Sequence, residues 1–326
     1  MIREKGNISW RKFIEYSISL LIVVLLVWYL WEQREIFLHT INLSWWHIAG
    51  ISAGVLLTWY FNGLQMRVLL RHAGFRVTQC EAFSLIAATA IGNYLPMRVG
   101  TGLRLHYLKK VHNFRYVQSG SMAGVSMTLL IVSTGLMGFL GGAGMMLSGN
   151  KVDVSIIILF VAMSISALIM LKLPMPTFKS SNKYIARTWN EFSIGYKEMS
   201  SDPHVALKIV VLMILQFLCV GLRFYVTFDA MHLMPSTWVY LIIAPTSVLI
   251  AIASFTPGGL GFREAAIGYI TLAVGYDFNS GLLAGAVDRA VLLVLTFVVG
   301  GAALLYVLTK INKVSQVKDQ IKGNQL

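Results

Sequence analysis

Charge is the first thing this sequence lacks. Only 13% of its 326 residues are charged, and only 14 of them are acidic. A water-soluble domain with so few charges could not cover its own surface, so lipid must cover much of this one. Cysteine is almost absent as well. Cys80 and Cys219 stand far apart, with no CxxC and no Cys/His ligand spacing, which leaves neither a disulfide framework nor a metal site. The seven histidines are scattered without an HExxH pair, and no Ser/His/Asp order or acid/base cluster can be argued from the spacing. The longest polar stretch, Pro174 to His204, is too small to be a catalytic domain and reads as a surface helix. No cofactor is expected.

What is present is apolar length. Hydrophobic residues make up 56% of the chain. Charge-free runs extend over Ile36–Met66, Tyr116–Asn150, Ala230–Phe262 and Ala290–Thr309. About 20 apolar residues cross a bilayer as a helix. These runs favour helices over a barrel, whose strands would alternate polar with apolar. The spans read as Phe13–Trp31, Trp46–Leu64, a stretch within Ser119–Leu147, Val154–Leu171, Val205–Thr227 and Leu282–Thr309. Phe13–Trp31 ends in aromatic residues rather than a small-x-small cleavage site, so it is expected to stay as an uncleaved first span. Met145 and Met146 read as packing residues, and glycines 135, 138, 141, 142 and 144 as close helix contacts.

Two segments are too short or too broken for simple crossings. Ala82–Met97 is apolar, lies between basic flanks and is interrupted at Asn93 and Pro96, so it reads as a re-entrant hairpin. Trp238–Tyr276 breaks at Pro257-Gly258-Gly259 and fits either two crossings or a second hairpin. The breaks resemble each other, Leu85-Ile86-Ala87…Pro96-x-x-x-Gly100 against Leu249-Ile250-Ala251…Pro257-x-x-x-Gly261. Three full spans separate them, which would invert the second copy relative to the first. The expected fold is therefore an all-α polytopic membrane protein with six to eight transmembrane helices and one or two re-entrant broken hairpins. It is read as one membrane domain over 1–326, with repeat halves of about 13–150 and 151–310 and a basic tail over 311–326.

The net charge of +13 does not point to nucleic acid, because the basic residues sit in short loops between apolar runs. With Met1 placed inside, 22 of the 27 Lys and Arg fall on the inner side, against Arg34 and Lys151 outside. This places both termini in the cytoplasm and the chain in the cell (inner) membrane.

Three constellations are candidate sites. Asn93, Pro96, Arg98, Gly100 and Arg104 mark a helix that stops and restarts, where exposed amides and guanidiniums suit a phosphate. The plainer reading is a loop whose arginines only set topology. Pro257, Gly258, Gly259, Gly261, Arg263 and Glu264 form the second; no strand precedes these glycines and no Lys-Ser/Thr follows, so they do not make a nucleotide loop. Arg263 and Glu264 are costly between apolar runs unless paired or wet. The third is Asp288-Arg289, which either pairs with Arg263 or Glu264, turns Arg289 to a lipid headgroup, or lies solvated at the outer interface. Arg223, near the end of its span, reads as snorkelling to the surface.

At these breaks the sequence resembles the flippase-like family, also called the lysylphosphatidylglycerol synthase transmembrane region. The carrying residues are Pro96-x-Arg98-x-Gly100-x-x-x-Arg104, then Pro257-Gly258-Gly259-x-Gly261-x-Arg263-Glu264 with Arg289 some 25 residues on. The resemblance covers roughly Phe13 to Leu308. In the bacterial multiple peptide resistance factors a similar region flips aminoacylated phosphatidylglycerol made by an attached synthase domain. This chain is expected to be a stand-alone member lacking that domain, so lysyl transfer is not implied. The resemblance implies a flippase whose candidate site residues hold the headgroup of an anionic phospholipid or polyprenyl-phosphate-linked lipid. A membrane enzyme acting on lipid-linked sugars, and a non-transporting partner of a separate lipid-modifying enzyme, are the rival readings; a homo-oligomer is left open.

The charge asymmetry predicts that reporters fused after Lys110, Lys197 and Leu326 read cytoplasmic and those near Glu35 and Asn150 read external. An external reading at Lys197 overturns the span assignment from Val154 onward.

Overall fold

The computed structural model describes residues 43–94, 99–150, 152–173, 183–253, 256, 259 and 261–323. The expected first span, Phe13–Trp31, lies outside them, as do Pro96, Arg98, Pro257 and Gly258. The described elements are all helical: α1 (Trp45–His72), α2 (Gln79–Gly92), α3 (Val99–His112), α4 (Tyr116–Leu147), α5 (Val154–Lys172), α6 (Lys183–Ser200), α7 (Pro203–Asp229), α8 (Thr237–Ala253), α9 (Phe262–Ala273), α10 (Phe278–Leu295) and α11 (Gly301–Gly323). A π turn, Thr296–Gly300, joins α10 to α11 in one continuous helix.

Four described helices are long and apolar enough to cross a membrane: α4, α5, α7 and the stretch Phe278–Gln316 of the last helix. α8 is as apolar but has only 17 residues. α1 has the length, at 28 residues, but Trp, Tyr, His, Asn and Gln dilute its hydropathy. It also runs past the expected end at Leu64 to His72, through Arg67 and Arg71. The last helix likewise outruns its expected end. The segment read as a basic tail stays helical to Gly323, since no Pro or Gly interrupts it between Gly301 and Gly323.

α1 and α7 pack antiparallel, fastened by His47–Asp229 at one end and by a buried Gln65–Gln216 hydrogen bond of 2.7 Å further along. α4 packs on α5 through Gly135, Gly138 and Gly142, and on α8 through Gly141 and Gly144. A Cβ on Gly135 would come within 2.1 Å of Ser164 Oγ, and one on Gly144 within 2.2 Å of the Trp238 ring. Met145 is buried beside them, whereas Met146 is half exposed. The polar segment forms α6, which turns its apolar face onto the start of α4. Tyr196 and Met199 are buried there, and Tyr196 shares a 2.9 Å hydrogen bond with Thr128.

Both expected breaks separate short helices. α2 and α3 have 14 residues each, and α8 and α9 have 17 and 12. Each is below the roughly 20 residues needed to span alone. α2 ends at Gly92 with Asn93 as its cap, where the sequence places the break. The basic run after it, which also reads as a loop, is instead the helix α3. The two helices touch at Gly92 and Gly100: a Cβ on Gly100 would lie 2.1 Å from the Thr89 carbonyl and one on Gly92 2.4 Å from the Gly100 Cα. Only glycine permits that approach, whereas Gly102 faces open space.

Gly100→Val is therefore expected to lower stability by about 1–3 kcal/mol through overpacking, and Gly102→Ala to be near neutral. Thermal unfolding in detergent measures both; equal behaviour of the two variants contradicts the contact.

Candidate functional site

The second break is built on left-handed glycine backbone. Gly259 has φ 74° and Gly261 φ 81°, conformations that residues with a Cβ rarely adopt. The Gly261 amide then donates to Glu264 Oε2 at 2.8 Å, so the first turn of α9 is closed by its own carboxylate. This fixes the next residues, Arg263 and Glu264, at the start of a helix that lies along α10. Both are buried, at 5% and 1% exposure, and so are Asp288 at 0% and Arg289 at 5%. None of the four is solvated at an interface.

These residues pair across the two helices. Arg263 Nη2 donates to Asp288 at 2.9 Å, and Arg289 Nε donates to Glu264 at 2.6 Å. Arg223 joins them, which corrects the expectation that it snorkels to the surface. The residue is 3% exposed, and its guanidinium grips Asp288 with Nε and Nη2, at 2.8 and 2.6 Å. α1 makes the room: a Cβ on Gly54 would sit 2.4 Å from Arg223 Cγ. Snorkelling loses because a fully buried carboxylate lies within reach of the guanidinium, and a bidentate pair outweighs an exposed rim position. The Arg263 guanidinium also lies 5.7 Å from the centre of the Phe224 ring. Three guanidiniums face two carboxylates, leaving one excess positive charge among the described residues of the cluster.

The first break reaches this cluster through its tip. Tyr94 OH lies 3.5 Å from Arg289 Nη1, a long contact between residues 195 positions apart. Asn93 accepts from Thr101 at 3.4 Å and so links α2 to α3. Gly100 serves the helix contact rather than the cluster. Arg104 is half-buried on α3, with an Nε that is shielded from solvent and has no hydrogen-bond partner among the described residues. No hydrogen bond or ion pair joins it to the cluster. Pro96, Arg98, Pro257 and Gly258 are not described, so of the expected set Arg263, Glu264, Asp288 and Arg289 are the residues the structure brings together.

Sequence reasoning missed Arg223 and Tyr94. An arginine six residues from a helix end has the same local pattern whether it faces lipid headgroups or a buried carboxylate. Its partner, 65 positions away, is visible only in the fold. A hydroxyl–imidazole–carboxylate chain also went unseen, Ser44 Oγ to His47 Nδ1 at 2.7 Å and His47 Nε2 to Asp229 at 3.2 Å. The Ser44 amide donates to the same Nδ1, so this is the cap of α1, with its nitrogen engaged by backbone.

The sequence matches the family of lysylphosphatidylglycerol synthase TM regions over residues 16–300. The chain belongs to that family. No curated protein and no solved structure matches it. Membership and the apolar helices together make this lysylphosphatidylglycerol synthase TM-region protein an all-α, multi-pass membrane protein of the membrane-lipid world. The matched stretch contains both breaks and every member of the charge cluster.

Arg223→Ala leaves Asp288 with Arg263 alone, and losing one partner of a buried ion pair costs about 3–5 kcal/mol. Lys313→Ala, at an exposed site, is expected to stay within about 0.5 kcal/mol of wild type. Thermal unfolding in detergent tests this; an Arg223 variant as stable as the Lys313 variant contradicts the buried pair.

Proposed function

We propose that this protein moves an anionic lipid, a phospholipid or a polyprenyl-phosphate-linked one, between leaflets without changing its covalent structure. The observation that carries this reading is the buried excess positive charge where the two breaks meet. Three buried guanidiniums sharing two carboxylates are expensive in a bilayer, and a phosphate diester brings further negative charge to them. Arg263 and Arg289 are the headgroup ligands, Glu264 and Asp288 hold them apart and in place, and Pro96, Arg98, Pro257 and Gly258 remain headgroup candidates on the sequence motif alone.

The architecture proposed with it is an inverted repeat. α1, the α2–α3 pair and α4 correspond to α7, the α8–α9 pair and the last helix, with α5 opening the second half as Phe13–Trp31 opens the first in the sequence. Packing supports the correspondence: α1 lies antiparallel on α7, α8 packs on α4, and α2 packs in the same way on the last helix. In this reading both short pairs are re-entrant, entering from opposite sides, and the crossings number six to eight with the first span included. Both termini are cytoplasmic. The repeat halves are about 13–150 and 151–310, and the headgroup site lies between them near mid-membrane.

The purified protein in vesicles is expected to speed leaflet exchange of a fluorescent phosphatidylglycerol without altering its mass. Arg263→Ala and Glu264→Ala should abolish the exchange while the protein remains inserted and monodisperse. Covalent conversion of the lipid would overturn transport in favour of an enzyme. Unchanged exchange in Arg263→Ala would remove the site from the reading.

A further inference from the structure

Outside the charge cluster, the most heavily engaged ionisable group of the described residues is Glu81, in the first turn of α2. It is 3% exposed, yet it collects donors from two other segments. From α3, Tyr107 OH and His112 Nε2 lie at 2.5 and 2.7 Å; from α11, Lys310 Nζ lies at 3.0 Å. The Lys310 ammonium also sits 5.9 Å from the centres of both the Tyr107 and Tyr306 rings. α1, on the other side of α2, meets it at Gly63 against the backbone of Ala82 and Phe83 and adds no charge to the carboxylate. Lys310 is thus not a free tail charge.

The position of this cluster gives it meaning. α2 runs antiparallel along the last helix, and three of the meeting points matter here. Glu81 meets Lys310 at the root, Ala87 meets Gly300 in the π turn, and just beyond the tip Tyr94 meets Arg289 in the charge cluster. The root contact is short and ionic, whereas the tip contact is 3.5 Å long and lies near the limit of a hydrogen bond. A rod held firmly at its root sets the reach of its tip.

We propose that Glu81 is a positioning residue for transport: it fixes the α2–α3 hairpin along the last helix so that Tyr94 meets Arg289. The inference rests on the lipid-transport reading and adds a positioning residue to the same site. Burial works to raise the Glu81 carboxyl, but hydrogen bonds from His112, Tyr107 and Lys310 outweigh it and hold it at about 2. The carboxylate is thus held by donors from α3 and from the last helix at once.

The test uses the full chain in nanodiscs of phosphatidylglycerol and phosphatidylcholine, with hydrogen exchange of the 85–94 segment followed at pH 7. Leaflet exchange of fluorescent phosphatidylglycerol is read in vesicles under the same conditions. Lys310→Gln should lower protection of the segment at least threefold and slow lipid exchange in parallel, with Lys310→Arg restoring both. A residue needed only for folding would lower yield without loosening this segment selectively. A Lys310→Gln variant as protected as wild type overturns the proposal. If wild type moves no lipid under any condition, the transport reading fails, while the protection of the segment still decides whether Glu81 and Lys310 set the hairpin.

Discussion

Asp288 is the residue on which the central packing turns. It has no exposure at all, and it accepts from Arg223 on α7 and Arg263 on α9 while sitting on α10. A carboxylate taken out of water this completely persists only with matching charges and donors, and its partners fix its position. Three helices are thereby held at one depth, and a fourth is drawn in because Arg223 needs the space that Gly54 of α1 leaves. The neighbouring Arg289–Glu264 pair repeats the logic one residue along each helix. The approach of the α2–α3 tip then follows from where Arg289 is held.

The main apolar helices were legible because lipid demands the same thing of every spanning segment, an uninterrupted run of apolar side chains over satisfied backbone. α4, α5 and α7 begin and end within a few residues of what hydropathy predicts. The predicted breaks were legible too, since glycine at 259 and 261 is required by positive φ and Asn93 caps α2. Hydropathy failed where helices leave the apolar range. α3 is rich in His and Lys, the end of α1 carries Arg67 and Arg71, and α11 continues through Lys310 and Lys313. Their helicity comes from backbone propensity and packing, which a transfer scale does not register.

The candidate site was legible in half. Arg263, Glu264, Asp288 and Arg289 stand out because a charge between apolar runs must be accounted for, and the cross-pairing of Arg263 with Asp288 and of Arg289 with Glu264 follows from antiparallel neighbours. Arg223 and Glu81 were not legible, for one physical reason. Each lies close enough to a helix end for solvation to be the simpler account. Their burial is decided by elements remote in sequence: Gly54 and Asp288 for Arg223, Tyr107, His112 and Lys310 for Glu81.

The π turn at Thr296–Gly300 lies between Arg289 and Lys310, the two points where the last helix takes hold of the α2–α3 hairpin. A turn of this kind accommodates one residue more than an α-helical turn does. Deleting a single residue there would let the helix close into a regular ladder without breaking a hydrogen bond. Everything beyond it would keep its facing, because the turn absorbs its extra residue within about one revolution, and Arg289 and Lys310 would both stay on the hairpin. The same deletion in the α-helical stretch between Arg289 and Lys310 would turn the rest of the helix by about 100° and carry Lys310 away from Glu81. Among relatives of this chain, the π turn is thus a place in the last helix where a change of length by one residue leaves both grips on the hairpin intact.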